Sequence, residues 1–159
     1  MSVGRERRQV EVACEYLALA DADERAASML MQAGVYRQAC YFFLQSMEKR
    51  VRAKAFSIVD ASRREIRDLH RDHSVDAAIT FLLEVIRIDE HAKEQIKTQL
   101  HTYFSGDINF RHLHNNLRYP YFDAQGRAWL IDIGPQDCEL LQTRLGFLKN
   151  FLVSLDRYR

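Results

Sequence analysis

GVYRQACYFFLQSMEKRVRAKAF, residues Gly34 to Phe56, is the stretch whose reading decides the fold. Its apolar residues Val35, Ala39, Phe42, Phe43, Met47, Val51 and Phe56 return at helical intervals, the stripe of one helix face. Gln45, Glu48, Lys49, Arg52 and Lys54 interrupt the stripe, which predicts a greasy side for a core and a polar side rich in cations. Gly34 follows another helical run, at the place where a left-handed residue commonly ends a helix. A tight turn there predicts that the two helices pack as an antiparallel hairpin.

Upstream, a helical period runs from about Arg5 to Ala33 through Val12, Tyr16, Leu19, Ala26, Met29 and Leu30. Asp21 and Asp23 fall within it, but abundant alanine without Pro or Gly favours one unbroken helix. Downstream, Ala61 to His73 (ASRREIRDLHRDH) alternates Arg63, Arg64, Arg67 and Arg71 with Glu65, Asp68 and Asp72. It reads either as a solvated, ion-paired segment or as arginines that join Arg52 and Lys54 in a phosphate-facing patch. Ser74 is placed to cap a helix through Ala78, Phe81, Leu82, Val85 and Ile86. A further helix is expected over Glu90 to Tyr103, with Ile96, Leu100, Tyr103 and Phe104 on one side and Gly106 closing it. Asn109 to Arg118 is short and can be helical.

The texture then changes. Tyr119 to Asp132, YPYFDAQGRAWLID, places two short aromatic or branched runs around Asp123-Ala124-Gln125-Gly126, a hairpin signal with Gly126 free to take positive φ. Pro120 bars its segment from a helix interior or a central strand. Pro135 can open a last helix carrying Cys138, Leu141, Leu145, Leu148, Phe151, Leu152 and Leu155. The expected fold is all-α: one domain over residues 1–159, a bundle of about five to six helices with a short β-hairpin or extended loop before the last.

A chain of 159 residues is long enough to bury a proper core, and 47% hydrophobic with 28% charged residues is a folding composition, not a disordered one. The net charge of +1 gives no global pull toward nucleic acid or membrane, so any basic surface must be local. Cys14, Cys40 and Cys138 are widely spaced and lack CxxC spacing, which fits reduced thiols better than a disulfide frame or a zinc site. No apolar run follows the charged MSVGRERRQV start, and none elsewhere is long enough for a bilayer. The expectation is a soluble cytoplasmic protein without membrane attachment.

The run from Tyr16 to Phe56, YLALADADERAASMLMQAGVYRQACYFFLQSMEKRVRAKAF, resembles the opening helix pair of HEPN domains. The likeness lies in the aromatic–Leu start, Ala and Asp mid-helix, the G-x-Y turn, Ala39, then Gln45, Glu48, Lys49, Ala53 and Lys54. LRYPYFD, Leu117 to Asp123, is similar to the Arg-Tyr-Pro element before that family's final helix. The resemblance implies a helical bundle that often pairs as a homodimer. It also implies membership of a prokaryotic toxin–antitoxin, stress or defence module. Many relatives are metal-independent ribonucleases, and others bind nucleotides or partner proteins without cutting RNA. Catalytic relatives carry an Arg followed four to six residues later by His. Activating a ribose 2′-hydroxyl needs a base that titrates near neutrality, and the phosphate needs a planar cation beside it.

Here the chain departs from that pattern. Arg118 is followed by Tyr119, Pro120, Tyr121, Phe122, Asp123 and Ala124, with no His in the window. Asp123 is a poor substitute, since an ordinary carboxylate is a weak base and repels phosphate. His112 and His114 lie upstream and reach Arg118 only if the segment doubles back; on a helix they would point to different sides. Arg64–His70 and Arg67–His73 satisfy the raw spacing, but lie before the family's usual position. The candidate catalytic residues are therefore Arg118, His112 and His114. Arg52, Lys54, Arg64, Arg67, Tyr119 and Tyr121 are the candidate nucleotide or RNA contacts. The blander roles are Arg118 bracing the hairpin through an ion pair, Tyr119 and Tyr121 as core aromatics, and Glu48 and Lys49 bonding to neighbouring helices.

Two functions follow. One is an RNA- or nucleotide-binding HEPN-like protein, acting as a homodimer if it cleaves. The other is a non-catalytic interaction module holding a partner such as a nucleotidyltransferase or antitoxin. No ExxH, HExxH or clustered carboxylates appear, so a metal enzyme is disfavoured and no cofactor is expected.

Overall fold

Residues 11–59 and 73–158 are described by the computed structural model of the chain. Among them are six α-helices and one two-stranded hairpin: α1 (Val12–Gln32), α2 (Tyr36–Phe56), α3 (Val75–Val85), α4 (Glu90–Leu100), α5 (Phe110–Arg118), β1 (Tyr121–Phe122), β2 (Ala128–Trp129) and α6 (Pro135–Ser154). The all-α bundle with a small hairpin before its last helix is the architecture the sequence predicts. No helix among the described residues is long and apolar enough to cross a membrane.

Helix α1 runs unbroken past Asp21 and Asp23, because both carboxylates turn to cations on its neighbours: Asp23 pairs with Lys49, and Asp21 and Glu24 with Arg50. It ends where expected. Gly34 takes φ +74°, and Val35 N–H bonds back to the Leu30 carbonyl at 2.8 Å. The turn sends α2 back along α1, with Ser46 donating to the Ala20 carbonyl at 2.9 Å across the seam. The buried residues of α1 are Ala20 and Ala27, small enough to let the two backbones approach closely.

Helix α2 is not the half-exposed helix its sequence suggests. It packs against α1, α3, α5 and α6 and buries Ala39, Cys40, Phe43, Leu44, Met47, Val51, Ala55 and Phe56 from more than one side. Val35 is exposed and Phe42 only half-buried, so the stripe turns further round the helix than its spacing implies. Burial of one such large apolar side chain contributes about 1.5–3 kcal/mol, so this helix anchors the core.

The remaining starts and stops follow local chemistry. Ser74 Oγ accepts from Ala77 N–H at 3.2 Å, the cap expected for α3, and Asp89 does the same for α4. The α4 segment differs from its expected course. After Leu100 a wide π turn, His101–Ser105, leads to Gly106 at φ +51°. An extra residue in the turn rotates the register, so Phe104 stays buried against Phe110 while Tyr103 is turned out to 58% exposure. Asn109 caps α5, and Pro135 occupies the first turn of α6, with Asp137 accepting from Gly134 N–H at 2.8 Å. The stripe expected on that helix, from Cys138 to Leu155, is buried throughout.

Cys40 and Cys138 meet inside the core, sulfur to sulfur at 3.2 Å, and burial pushes both thiols up. Cys14 is exposed. A disulfide reagent at pH 8 is therefore expected to modify Cys14 in the native protein and the other two thiols only on unfolding. Prompt reaction of all three would contradict this packing.

Candidate nucleic-acid interface

The short helix α5 decides what the late arginine can do. Phe110, His114 and Leu117 fall at positions i, i+4 and i+7 and are buried, while Arg111, His112 and Arg118 face solvent. His112 and His114 thus part as alternate helical residues must. His114, 3% exposed, meets the Tyr41 ring edge-on at 5.7 Å, and its Nδ1 has no hydrogen-bond partner among the described residues. Burial holds its pKa below the ordinary value; Glu48 opposes that shift, and Arg118 and His73 add to it. The result is a neutral core imidazole, not a solvent-facing base.

His112 remains at the surface. The Asn116 side-chain amide lies 2.7 Å from its Nε2, and its ring meets Tyr121 edge-on at 5.6 Å. That ring contact brings the hairpin back onto α5. Tyr121 pairs with Trp129 and Phe122 with Ala128, so Tyr121 and Trp129 share one face of the hairpin and Phe122 and Ala128 the other. In the loop, Asp123 accepts from Gln125 N–H, Arg127 N–H, Arg127 Nε and the Trp129 indole N–H. Partial desolvation works against ionisation there, yet these donors hold the Asp123 carboxyl below the usual carboxylate range.

Arg118 sits between helix and hairpin. It is exposed, its Cζ lies 5.1 Å from the Tyr119 ring centroid, and its Nη2 donates to Tyr119 Oη at 3.2 Å. No carboxylate among the described residues pairs with it; the ion pair that braces the hairpin is Arg127–Asp123. Tyr119 is 60% exposed and so is not a core aromatic, whereas Tyr121 is half-buried against His112. Arg118 shares a helix face with His114, four residues before it. His112 lies six residues back, about 9 Å along the axis.

The other proposed contacts do not join this corner. Arg52 is 1% exposed, with Nε donating to Glu48 Oε1 at 2.9 Å, so its guanidinium lies in the core, out of a solvent phosphate's reach. Lys54 is bonded to Asp156 at 2.7 Å, with little of its side chain exposed. Arg52 and Lys54 are thus drawn away from the expected phosphate-facing patch, whose other members, Arg63, Arg64, Arg67 and Arg71, lie outside the described residues. Lys49 bonds across to Asp23, as a neighbouring-helix role requires, but Glu48 pairs within its own helix and with His73 Nδ1 at 3.3 Å. Arg64, Arg67 and His70 lie outside the described residues.

Two further features bear on the choice of site. Arg37 reaches from α2 to donate to the carbonyls of Asn116, Leu117 and Ile131, fastening the end of α5 and the hairpin's exit to the core. Nothing in its local sequence marks that role, since its partners are some eighty residues and more away. Elsewhere, an apolar groove of about 470 Å³ lies between α1, α2 and α6, but its cations Arg50, Lys54 and Lys149 are all engaged with carboxylates. It offers apolar surface and no uncommitted charge. No group of three or more His, Cys, Asp or Glu side chains among the described residues is arranged to hold a metal.

The chain matches no family model, no curated protein and no solved structure.

The two arginines should separate in unfolding experiments. Arg52→Ala leaves Glu48 charged in the core and is expected to cost about 3–5 kcal/mol. Arg118→Ala should stay within about 0.5 kcal/mol of the parent. Equal losses in urea denaturation would contradict the division between structural and surface cations.

Proposed function

We propose that the chain binds RNA or a nucleotide at the corner between α5 and the hairpin. The reading includes a HEPN-like protein of a cytoplasmic toxin–antitoxin, stress or defence module, cleaving RNA without metal as a homodimer. One observation carries it: Arg118 is an exposed guanidinium with no carboxylate partner among the described residues, set beside an exposed tyrosine. A planar cation in that state suits a phosphate, and the neighbouring ring suits a base or ribose.

In this reading Arg118 holds the scissile phosphate and His112 takes the 2′-hydroxyl proton. His112 is the solvent-facing imidazole of the pair, and the Asn116 amide and Tyr121 ring orient it. The 2′-oxygen then attacks phosphorus, the bond from phosphorus to the 5′-oxygen breaks, and that oxygen takes a proton from water. His114 positions the helix from within the core and does not touch substrate. With His112 and Arg118 separated along α5, a second copy supplies the complementary residue across the dimer cleft.

A partner-binding role without catalysis is favoured by a different observation. Phe122, Ala128 and Leu130 are exposed, and the first two share the hairpin face opposite Trp129. That apolar edge suits a protein such as a nucleotidyltransferase or antitoxin.

Incubation with RNA in EDTA separates the readings. The parent is expected to bind and cut. Arg118→Ala should weaken binding about tenfold or more, as loss of a charge-assisted contact does. His112→Ala should keep binding but slow cleavage about 10²-fold or more. His114→Ala should act through stability. Binding without cleavage would retain the RNA role and remove the ribonuclease; neither binding nor cleavage would leave the partner-binding role.

A further inference from the structure

We infer that the inner face of the hairpin is a stacking platform for unpaired bases, with Trp129 as its principal ring, and that the RNA ligand is single-stranded. The inference rests on the RNA-binding role proposed above and adds a residue and a substrate class to it.

The hairpin is too small to explain its own composition. Two residues pair with two, a size that is marginal alone, and yet the segment keeps Trp129 48% and Tyr119 60% exposed. The Trp129 ring is nonetheless held in place. Its Nε1–H donates to Asp123 Oδ2 at 3.1 Å, and the same oxygen accepts from Arg127 Nε at 2.7 Å. Tyr121 is its cross-strand partner on the same face and meets His112 edge-on. An indole so oriented loses little freedom when a flat ligand lands on it.

Charge selects the ligand. Arg118, with no carboxylate partner among the described residues, stands over Tyr119, whereas the Arg127 guanidinium, 5.8 Å from the Trp129 centroid, is paired with Asp123 and helps to hold the indole. An exposed guanidinium near exposed aromatic rings suits the phosphates and bases of an open strand. A duplex cannot use such a platform, because its bases are already stacked on one another and its deep groove is closed to side chains. The opposite face presents the exposed apolar Phe122 and Ala128.

Trp129 is the sole tryptophan, so its fluorescence reports on this face directly. The full chain is titrated with 2′-O-methyl oligouridylate, which cannot be cleaved through its 2′-oxygen, and with a duplex RNA of equal length. Binding is followed independently by anisotropy of labelled oligonucleotide. The expected result is saturable quenching by the single strand at the anisotropy midpoint, with little quenching by the duplex. Trp129→Leu should weaken single-strand binding about tenfold, Trp129→Phe much less, and Phe122→Ala hardly at all. The comparison with Phe, together with quenching in the unaltered protein, keeps the test valid if the Leu variant folds poorly. Anisotropy without quenching, and with Trp129→Leu binding normally, would overturn the platform and leave RNA binding intact. Absence of binding to either RNA would overturn both. Fluorescence that changes with protein concentration alone would place the indole between two protein chains and overturn the platform.

Discussion

Helices α1, α3, α5 and α6 all pack on α2, and α2 tolerates enclosure because its charges are answered internally. A carboxylate and a guanidinium out of water cost several kcal/mol each unless they meet. Glu48 and Arg52 meet one turn apart, and Glu48 continues outward to His73. Along the same helix, Arg37 fastens the hairpin, Cys40 meets Cys138 on α6, and Tyr41 receives His114 from α5. Lys49 takes Asp23 of α1, and Phe56 meets both Tyr16 and Phe81. These contacts run nearly the full length of the helix. Removing one side of the charged pair would disturb several packing faces at once.

That arrangement divides the cations into two kinds. Arg37, Arg50, Arg52, Lys49 and Lys54 are committed to carbonyls or carboxylates and belong to the scaffold. Arg118 is left facing solvent, on a helix end that Arg37 fastens from below. A net charge of +1 conceals this division, because local availability matters to a phosphate and total charge does not. The hairpin has a similar economy. Tyr121 rests on His112, while Trp129 and Tyr119 remain at the surface.

Sequence made the helices legible where apolar spacing and punctuation agree. Gly34, Ser74, Pro135 and the Asp123–Gly126 turn each act within a few residues, so their chemistry can be read locally. The split of His112 from His114 follows from helical geometry alone. Burial of Arg52 was not legible, because a polar residue on a helix enclosed from several sides has the same spacing as one facing water. The fastening by Arg37 was hidden for another reason: its carbonyl partners carry no side-chain signature and lie far along the chain. The π turn after Leu100 likewise displaced Tyr103 from an otherwise regular stripe.

The central claim is that the working surface lies at Arg118 and the hairpin, while the cations of α2 serve the scaffold. Amide chemical shifts of the ¹⁵N-labelled chain, followed during titration with single-stranded oligoribonucleotide, test it most directly. The account predicts perturbations concentrated over residues 111–132, with the amides around Arg52 and the groove beside Lys54 and Lys149 unchanged. Shifts centred on that groove, or none at all, would contradict it.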